Sequence, residues 1–498
     1  MKISYWYSIF YCLCFAFIFS NSVVAQESKL YSVDKVKKDY EIAISYIEAH
    51  PDPYTHISQE DFETFTRQVL ASFTQPISEL EFYKSVASTI ALIKDGHSSV
   101  YPPENWLLDK RKEYGAFPYE CYLSNDDELY IIESYNDGPI PIKSKIELIN
   151  GITVDSFLNL IDPYISYELK HFRNTKIDNS IELYLYLAFG YSHDTEIQYF
   201  NTEKQTITVS NMEYKSYKSY MKENKEERDI LMSKGKPYKY EKIADGVGKL
   251  TLFAFSANSL KAYDFFLHET FKEISNQEIH SLIIDVRENF GGWPKISSRL
   301  FHYISETHFK TQARSALKVS QTYRNYLREK IPYLRDNKPF INTDLYYIDI
   351  NSIMRNEIGS YVNQEIFFNE SPITREYEFT GDCYLLTNRD SYSAASSFAA
   401  TFQCYQMGII VGNETGGTKI FRANAIFQRL IRTGVGVGMS TVKNFNTCYN
   451  EEMEGVVPTV EYEPTVLDLT SGMDMQVLYT QRLIKKMQKQ KATAEQDK

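Results

Sequence analysis

Ser281-Leu282-Ile283-Ile284-Asp285-Val286-Arg287-Glu288-Asn289-Phe290-Gly291-Gly292 is the stretch on which the fold turns. Its apolar residues run on without alternation, the pattern of a strand covered on both faces in a parallel sheet. The strand then runs straight into a glycine pair. Glycines at such a place let a ligand approach the backbone, and their amides can point at a developing oxyanion. An ordinary turn after a strand is the other reading of the same residues.

Working outward, strand and helix alternate on both sides. Gly248–Phe253 reads as a strand and 259–274 as a helix. Further on, 383–388 is a strand, 394–406 a helix and 409–412 a strand. Strands spaced by helices make parallel crossover units, so an α/β core is expected over 246–482, interrupted by an insertion near 310–375.

The segment upstream is different. Val36, Tyr40, Ala43, Ile44 and Ile47 repeat with helical spacing, and two further helices are expected near 58–74 and 78–94. Ser78 with Glu81 three residues on marks a helix start. Asp95-Gly96 reads as a stop with the glycine in the left-handed position. These define an N-terminal helical domain, 26–107. Residues 108–212 carry short β-like runs, including 129–132 and 145–149, and Asn150-Gly151 is a hairpin signal. Residues 213–245, rich in Lys and Glu, read as a linker or excursion, and 483–498 as a disordered tail.

The chain has 498 residues, too many for one compact core, and a formal net charge of −11, which gives no basic footprint for nucleic acid. Its first residues combine Lys2, an apolar stretch to Phe19 and then Ala25-Gln26. That order is a secretory signal peptide, 1–25, with an uncleaved membrane anchor as the alternative. The mature chain is therefore expected to be exported to the periplasm or the extracellular space, without stable membrane insertion after cleavage. Cys121, Cys383, Cys404 and Cys448 remain. They are widely spaced without C-x-x-C, which argues against zinc, and buried unpaired thiols are expected in a chain able to build its own core.

Two more segments could carry chemistry. Asn388–Phe402 holds four serines where a strand passes into a helix, so Ser391 or Ser393 sits at the helix N-terminus. Either could be a cap, or a nucleophile helped by the free amides and positive end of the helix. Gly412-Asn413-Glu414-Thr415-Gly416-Gly417-Thr418-Lys419 is another strand end with glycines, but it lacks the order of a phosphate-binding loop. The chain has no G-x-S-x-G elbow either.

In this order the three segments resemble the S41 serine peptidases, the tail-specific or carboxy-terminal processing proteases. Asp285–Gly292 stands for D-x-R-x-N-x-G-G, Ser391-Tyr392-Ser393-Ala394-Ala395 for [TS]-[FY]-S-A-A/S, and Gly412–Gly417 for G-x-x-T-x-G. Ile142–Gly151 looks like the inner part of a PDZ domain. The resemblance implies a ClpP/crotonase-like α/β protease core with an N-terminal helical domain and a PDZ-like β-rich domain.

It implies Ser393 as nucleophile, with Ser391, Ser396 and Ser397 left to capping and surface roles. The lysine of the family's Ser–Lys branch has Thr418 in its place, with Lys419 one residue late as the alternative base. Asp95-Gly96-His97-Ser98 fits the D-G-H-[ST] of the tricorn-like branch, which makes His97 the general base. That branch also places a glutamate before G-V-x-P-D. Glu452 is assigned by spacing, with Glu451 and Glu454 beside it. Gly96 stands where that branch has serine, and Thr459 where it has aspartate. The oxyanion hole would come from Gly291 or Gly292 with Ala394. No metal or cofactor is implied, and the partner is a polypeptide substrate. The resulting expectation is an exported serine endopeptidase acting through an acyl-enzyme. The alternative is a catalytically inactive relative that binds peptides in the same cleft.

Overall fold

The computed structural model describes residues 29–305, 307–330, 350–364, 376–450 and 452–496. The expected signal peptide, Glu451 and parts of the insertion lie outside the described residues.

Three helices open the chain: α1 (Val33–Ser45), α2 (Gln59–Ser72) and α3 (Glu79–Ala91). The Ser78 side chain accepts from the Glu81 amide, as the sequence predicts. After α3 it is Lys94, at φ 54°, that takes the left-handed conformation, and not Gly96. Gly96 has a steric reason instead: any side chain there would run into the Tyr392 hydroxyl and the Glu168 carboxylate.

A second body is built on an antiparallel sheet of β1 (Tyr119–Leu123), β2 (Leu129–Ser134), β3 (Lys145–Ile149), β4 (Asp194–Phe200) and β5 (Lys204–Ser210), in that order. Asn150 and Gly151, both at positive φ, turn β3 into the short strand Ile152–Thr153, the hairpin the sequence signals. This body is less purely β than expected. It carries α4 (Lys170–Asp178) and α5 (Ile181–Phe189), whose apolar residues join the N-terminal helices in one core.

The third body holds a six-stranded sheet: β6 (Tyr238–Ala244), β7 (Val247–Leu252), β8 (Ser281–Asp285), β9 (Asp382–Thr387), β10 (Ile409–Gly412) and β11 (Val460–Glu461). From β7 to β11 every pairing is parallel, and β6 is an antiparallel edge. Alternate residues of β8 and β9 face opposite layers. Leu282, Ile284, Cys383 and Leu385 pack with α6 (Leu260–Asn276), α7 (Pro294–Ile304) and α8 (Ala394–Cys404). Ile283, Tyr384 and Leu386 pack with Val477 and Ile484 of α9 (Met475–Gln496). The unbroken apolar run of β8 follows from this double burial.

Four expectations need correction. Residues 213–245 are not a linker: they form helices Tyr214–Glu223 and Glu227–Ser233 and supply β6. These helices hold no fully buried residue, and their high Lys and Glu content gives them the look of a linker. The stretch 483–498 is not a tail through its described length, since α9 continues to Gln496. Not all four cysteines are free. Cys404, at the end of α8, and Cys448 lie 5.7 Å apart at Cα and form a disulfide, while Cys121 and Cys383 are buried thiols. Finally, Ser396 and Ser397 are buried rather than at the surface. Within the insertion, strand Gln312–Lys318 pairs with Tyr361–Gln364 and with Val442–Asn446. Among the described residues no helix is long and apolar enough to cross a membrane.

Candidate active site

The loops after β8, β9 and β10 meet at the carboxyl ends of a parallel sheet, where open α/β sheets place their ligands. Backbone bonds lock them together. The Tyr392 amide donates to Asn289 O (3.0 Å), and the Gly416 amide to Ser391 O (3.1 Å). Ser391 Oγ donates to Val286 O at 2.9 Å. Ser396 Oγ donates to Ser391 O and accepts the Gly417 amide. Two of the four serines are thus structural pins. The buried Asn289 donates through Nδ2 to Leu252 O and accepts the Gly291 amide through Oδ1, both at 2.8 Å.

Ser393 is different. It sits at the N-cap of α8 with φ 56° and ψ −119°, and its side chain caps nothing. A non-glycine residue in that region is strained, and such strain persists only where the surroundings over-determine it. Here Gly291 is pressed against it: a Cβ added to Gly291 would lie 2.7 Å from Ser393 Cβ and 2.8 Å from the Ala394 amide nitrogen.

The amides of Gly292 and Ala394 donate to no described residue, whereas the Gly291 amide is spent on Asn289. Of the two glycines considered for an oxyanion hole, Gly292 therefore has the free donor. Gly291 contributes the space.

His97 arrives from the other body. Strand Ser99–Tyr101 pairs with Gly436–Met439, and Ser98 Oγ accepts the Ser440 amide, which carries the Asp95–Ser98 turn onto the core. Asp95 is wholly buried. It accepts the His97 backbone amide (3.0 Å) and the Ser98 hydroxyl (2.5 Å), and faces His50 Nε2 at 3.3 Å. Burial opposes its ionisation, but His50, His97 and Ser98 outweigh that and hold it far below the usual carboxylate range. Asp95 therefore shapes the turn rather than touching the ring. The His97 ring stacks on Tyr392, and its Nδ1 lies 2.7 Å from the Tyr392 hydroxyl. Its Nε2 is enclosed and bonds to nothing. Burial, reinforced by Lys176 and opposed by Asp95, lowers its pKa to about 4. The ring is therefore neutral near pH 7. Ser393 and His97 are neighbours through Tyr392 but are not hydrogen-bonded to each other.

The remaining assigned residues make no hydrogen bond to this pair. Glu452 is exposed on its loop and accepts from Asn450. Glu454 is held by Lys419 at 2.7 Å. That ion pair also occupies the alternative base, and Thr418 donates to Ile420 O.

Several residues at the site had no signal in the sequence. Glu168 accepts the Gly96 amide at 2.8 Å, and its other oxygen is buried without a partner. Lys176 donates to Gly96 O (2.9 Å) and Ser166 O (2.7 Å). Burial raises the Glu168 pKa and lowers that of Lys176, each partly offset by the other's charge. Ligand atoms of Asp95, His97 and Glu168 lie within 4.8 Å of one another, the spacing of a metal cluster. The fit is poor, because Asp95 is saturated with donors and the Lys176 ammonium already supplies positive charge. Phe172 stacks on Tyr392 at 3.9 Å, and Thr175 bonds Asp390, so α4 braces the Ser393 loop. Asn289 was legible as part of the glycine motif; the others lie in a region read as β.

Residues 246–462 match the model of peptidase family S41. No curated protein matches the sequence. Among solved structures, mature CPAF is 14% identical, with a TM-score of 0.62 over 90% of this chain and 96% of that one. Mature CPAF complexed with lactacystin is 13% identical, with a TM-score of 0.60 over 91% and 97%. At such identities the likeness is one of fold, and it extends over all three bodies. With the family's motifs meeting at one sheet end, the segment 246–462 is that of peptidase family S41, the serine-type peptidases.

Proposed function

We propose that this chain is an exported serine endopeptidase that hydrolyses polypeptides through an acyl-enzyme on Ser393, with His97 as general base. The observation that carries this reading is Ser393 itself: a strained N-cap residue whose hydroxyl caps nothing, directly after the tyrosine that holds His97. Neutral His97 takes the Ser393 proton through Nε2 as Oγ bonds to the scissile carbonyl carbon. It then returns that proton to the departing amine, and water repeats the exchange to release the acyl group.

The Gly292 and Ala394 amides receive the oxyanion, helped by the positive end of α8. Phe290 and Trp293, both about half exposed beside the glycine pair, offer an apolar rim to a peptide chain. The Cys404–Cys448 disulfide supports export, since such bonds persist in oxidising compartments.

The test is fluorophosphonate labelling of the wild type beside Ser393→Ala, His97→Ala and Lys419→Ala. Labelling is expected in the wild type and Lys419→Ala only. An unlabelled wild type would instead support an inactive peptide-binding relative. Label that survives His97→Ala but is lost in Lys419→Ala would make lysine the base.

A further inference from the structure

We infer that Tyr392, backed by Glu168, is the positioning residue of His97, in the place for which a carboxylate from the 451–454 loop was expected. This rests on the reading of Ser393 and His97 given above.

A histidine base needs one nitrogen bare and the other committed to a partner that fixes its tautomer. Here the partner of Nδ1 is on the page: the Tyr392 hydroxyl, at 2.7 Å. Glu452 is exposed and Glu454 is tied to Lys419, and neither bonds the ring. A phenol can either donate or accept, so the tautomer must be argued. Nε2 is sealed from solvent with no partner. A buried orphan N–H is rarer and costlier than a buried lone pair. Nε2 is therefore the bare nitrogen, and Nδ1–H donates to the Tyr392 oxygen.

The tyrosine proton then needs an acceptor of its own. Glu168 supplies one. Its Oε2, which also accepts the Gly96 amide, converges with the Tyr392 hydroxyl on the space that Gly96 leaves empty. The inferred chain runs from the Nε2 lone pair through Nδ1–H to Tyr392, and from the Tyr392 O–H toward Glu168 Oε2. The aromatic sandwich of Phe172, Tyr392 and His97 holds its members in plane. Gly96 is needed because a side chain there would block the chain at its middle. When Nε2 takes the Ser393 proton, the imidazolium charge is met by the phenol oxygen and, behind it, by the acid. Asp95, bound to the backbone of the same turn, adds its field, and Lys176 opposes it.

Two measurements test this. Tyr392→Phe keeps the ring stack and removes only the hydroxyl. The maximal fluorophosphonate labelling rate is expected to fall roughly tenfold or more, with the half-saturating probe concentration unchanged and the acid limb of the pH profile displaced. Glu168→Gln should give a smaller fall. A purely structural ring would leave rate and pH profile untouched in Tyr392→Phe, and that result overturns the inference while wild-type labelling keeps the serine–histidine reading intact. An unlabelled wild type sinks both. The second measurement does not depend on that variant folding. In full-length Ser393→Ala protein labelled with 15N-histidine, His97 is expected as the Nδ1–H tautomer. Finding the Nε2–H tautomer overturns the inference.

Discussion

The space beside Ser393 is made by the absence of one carbon. Gly291, at φ 103°, places its backbone where a Cβ would meet Ser393 Cβ and the Ala394 amide, neither of which is a flexible side-chain end. Gly291→Ala is strained by its backbone angle and by this contact together. It is expected to displace the nucleophile, and a misplacement of about 1 Å costs on the order of a hundredfold in rate. Labelling kinetics with a circular-dichroism melt separate that loss from unfolding. Retention of the wild-type rate would show that the loop yields without cost. At this scale the sequence was readable wherever chemistry is packed into one short motif: Ser393, the glycine pair and His97 each stand in a run whose spacing carries meaning. Tyr392 was in view but was read only as a neighbour of the serine. Its bond to His97 spans 295 positions, and nothing local encodes it. Glu168 and Lys176 were invisible for the same reason, because their charge is matched across the fold rather than along a helix. The choice of Glu452 came from spacing alone, and its exposed position gives that spacing no structural support.

Among elements, those with a buried apolar pattern were legible and those without were not. β8 and β9 are covered on both faces, and their unbroken runs say so; α1 to α3 show the periodicity of one-sided burial. The helices at Tyr214–Glu223 and Glu227–Ser233 hold no fully buried residue, and composition made them look like a linker. The disulfide is an element-scale feature too, set by how α8 ends beside the loop after Val442–Asn446. It closes 44 residues that include the loop after β10 and the hairpin Ile426–Met439. Chain-entropy reasoning gives about 4 kcal/mol for a loop of that size, and typical yields are about 2–4 kcal/mol. Cys404→Ser is therefore expected to lower the denaturant midpoint, with a steeper slope as the unfolded chain loses its crosslink, and reducing agent should do the same to the wild type. If reductant leaves the midpoint where it was, the crosslink does not hold this region.

At the scale of the whole molecule, carboxylates join the N-terminal helices to the core, and acid should part them. Asp52 accepts from Arg422 and Lys443; burial opposes its ionisation, but those two partners outweigh it and hold its pKa down. Asp95 is held down more strongly. An aspartate depressed on folding contributes stability that is complete above its unfolded value, near 3.9, and is lost as pH falls through the folded one. His97 acts in a higher window. Its folded pKa of about 4 lies below the unfolded value of about 6.5, so between them the unfolded chain binds more protons and stability declines as pH drops. His56, lowered by burial and by Arg422 against the pull of Asp52, adds to that decline. The expected profile for Ser393→Ala protein, chosen to prevent self-cleavage, has an upper decline of the denaturant midpoint below about pH 6.5, reduced by the raised Glu168 carboxyl, which gains stability as it protonates, and a lower decline below about pH 4. Adding His97→Gln should shrink the upper decline, leaving the share of His56, and should spare the lower one. If the upper decline keeps its full size, His97 is solvated in the folded chain and its neutral state needs another cause. If the lower decline is missing, the buried aspartates are not what binds the N-terminal helices to the protease core.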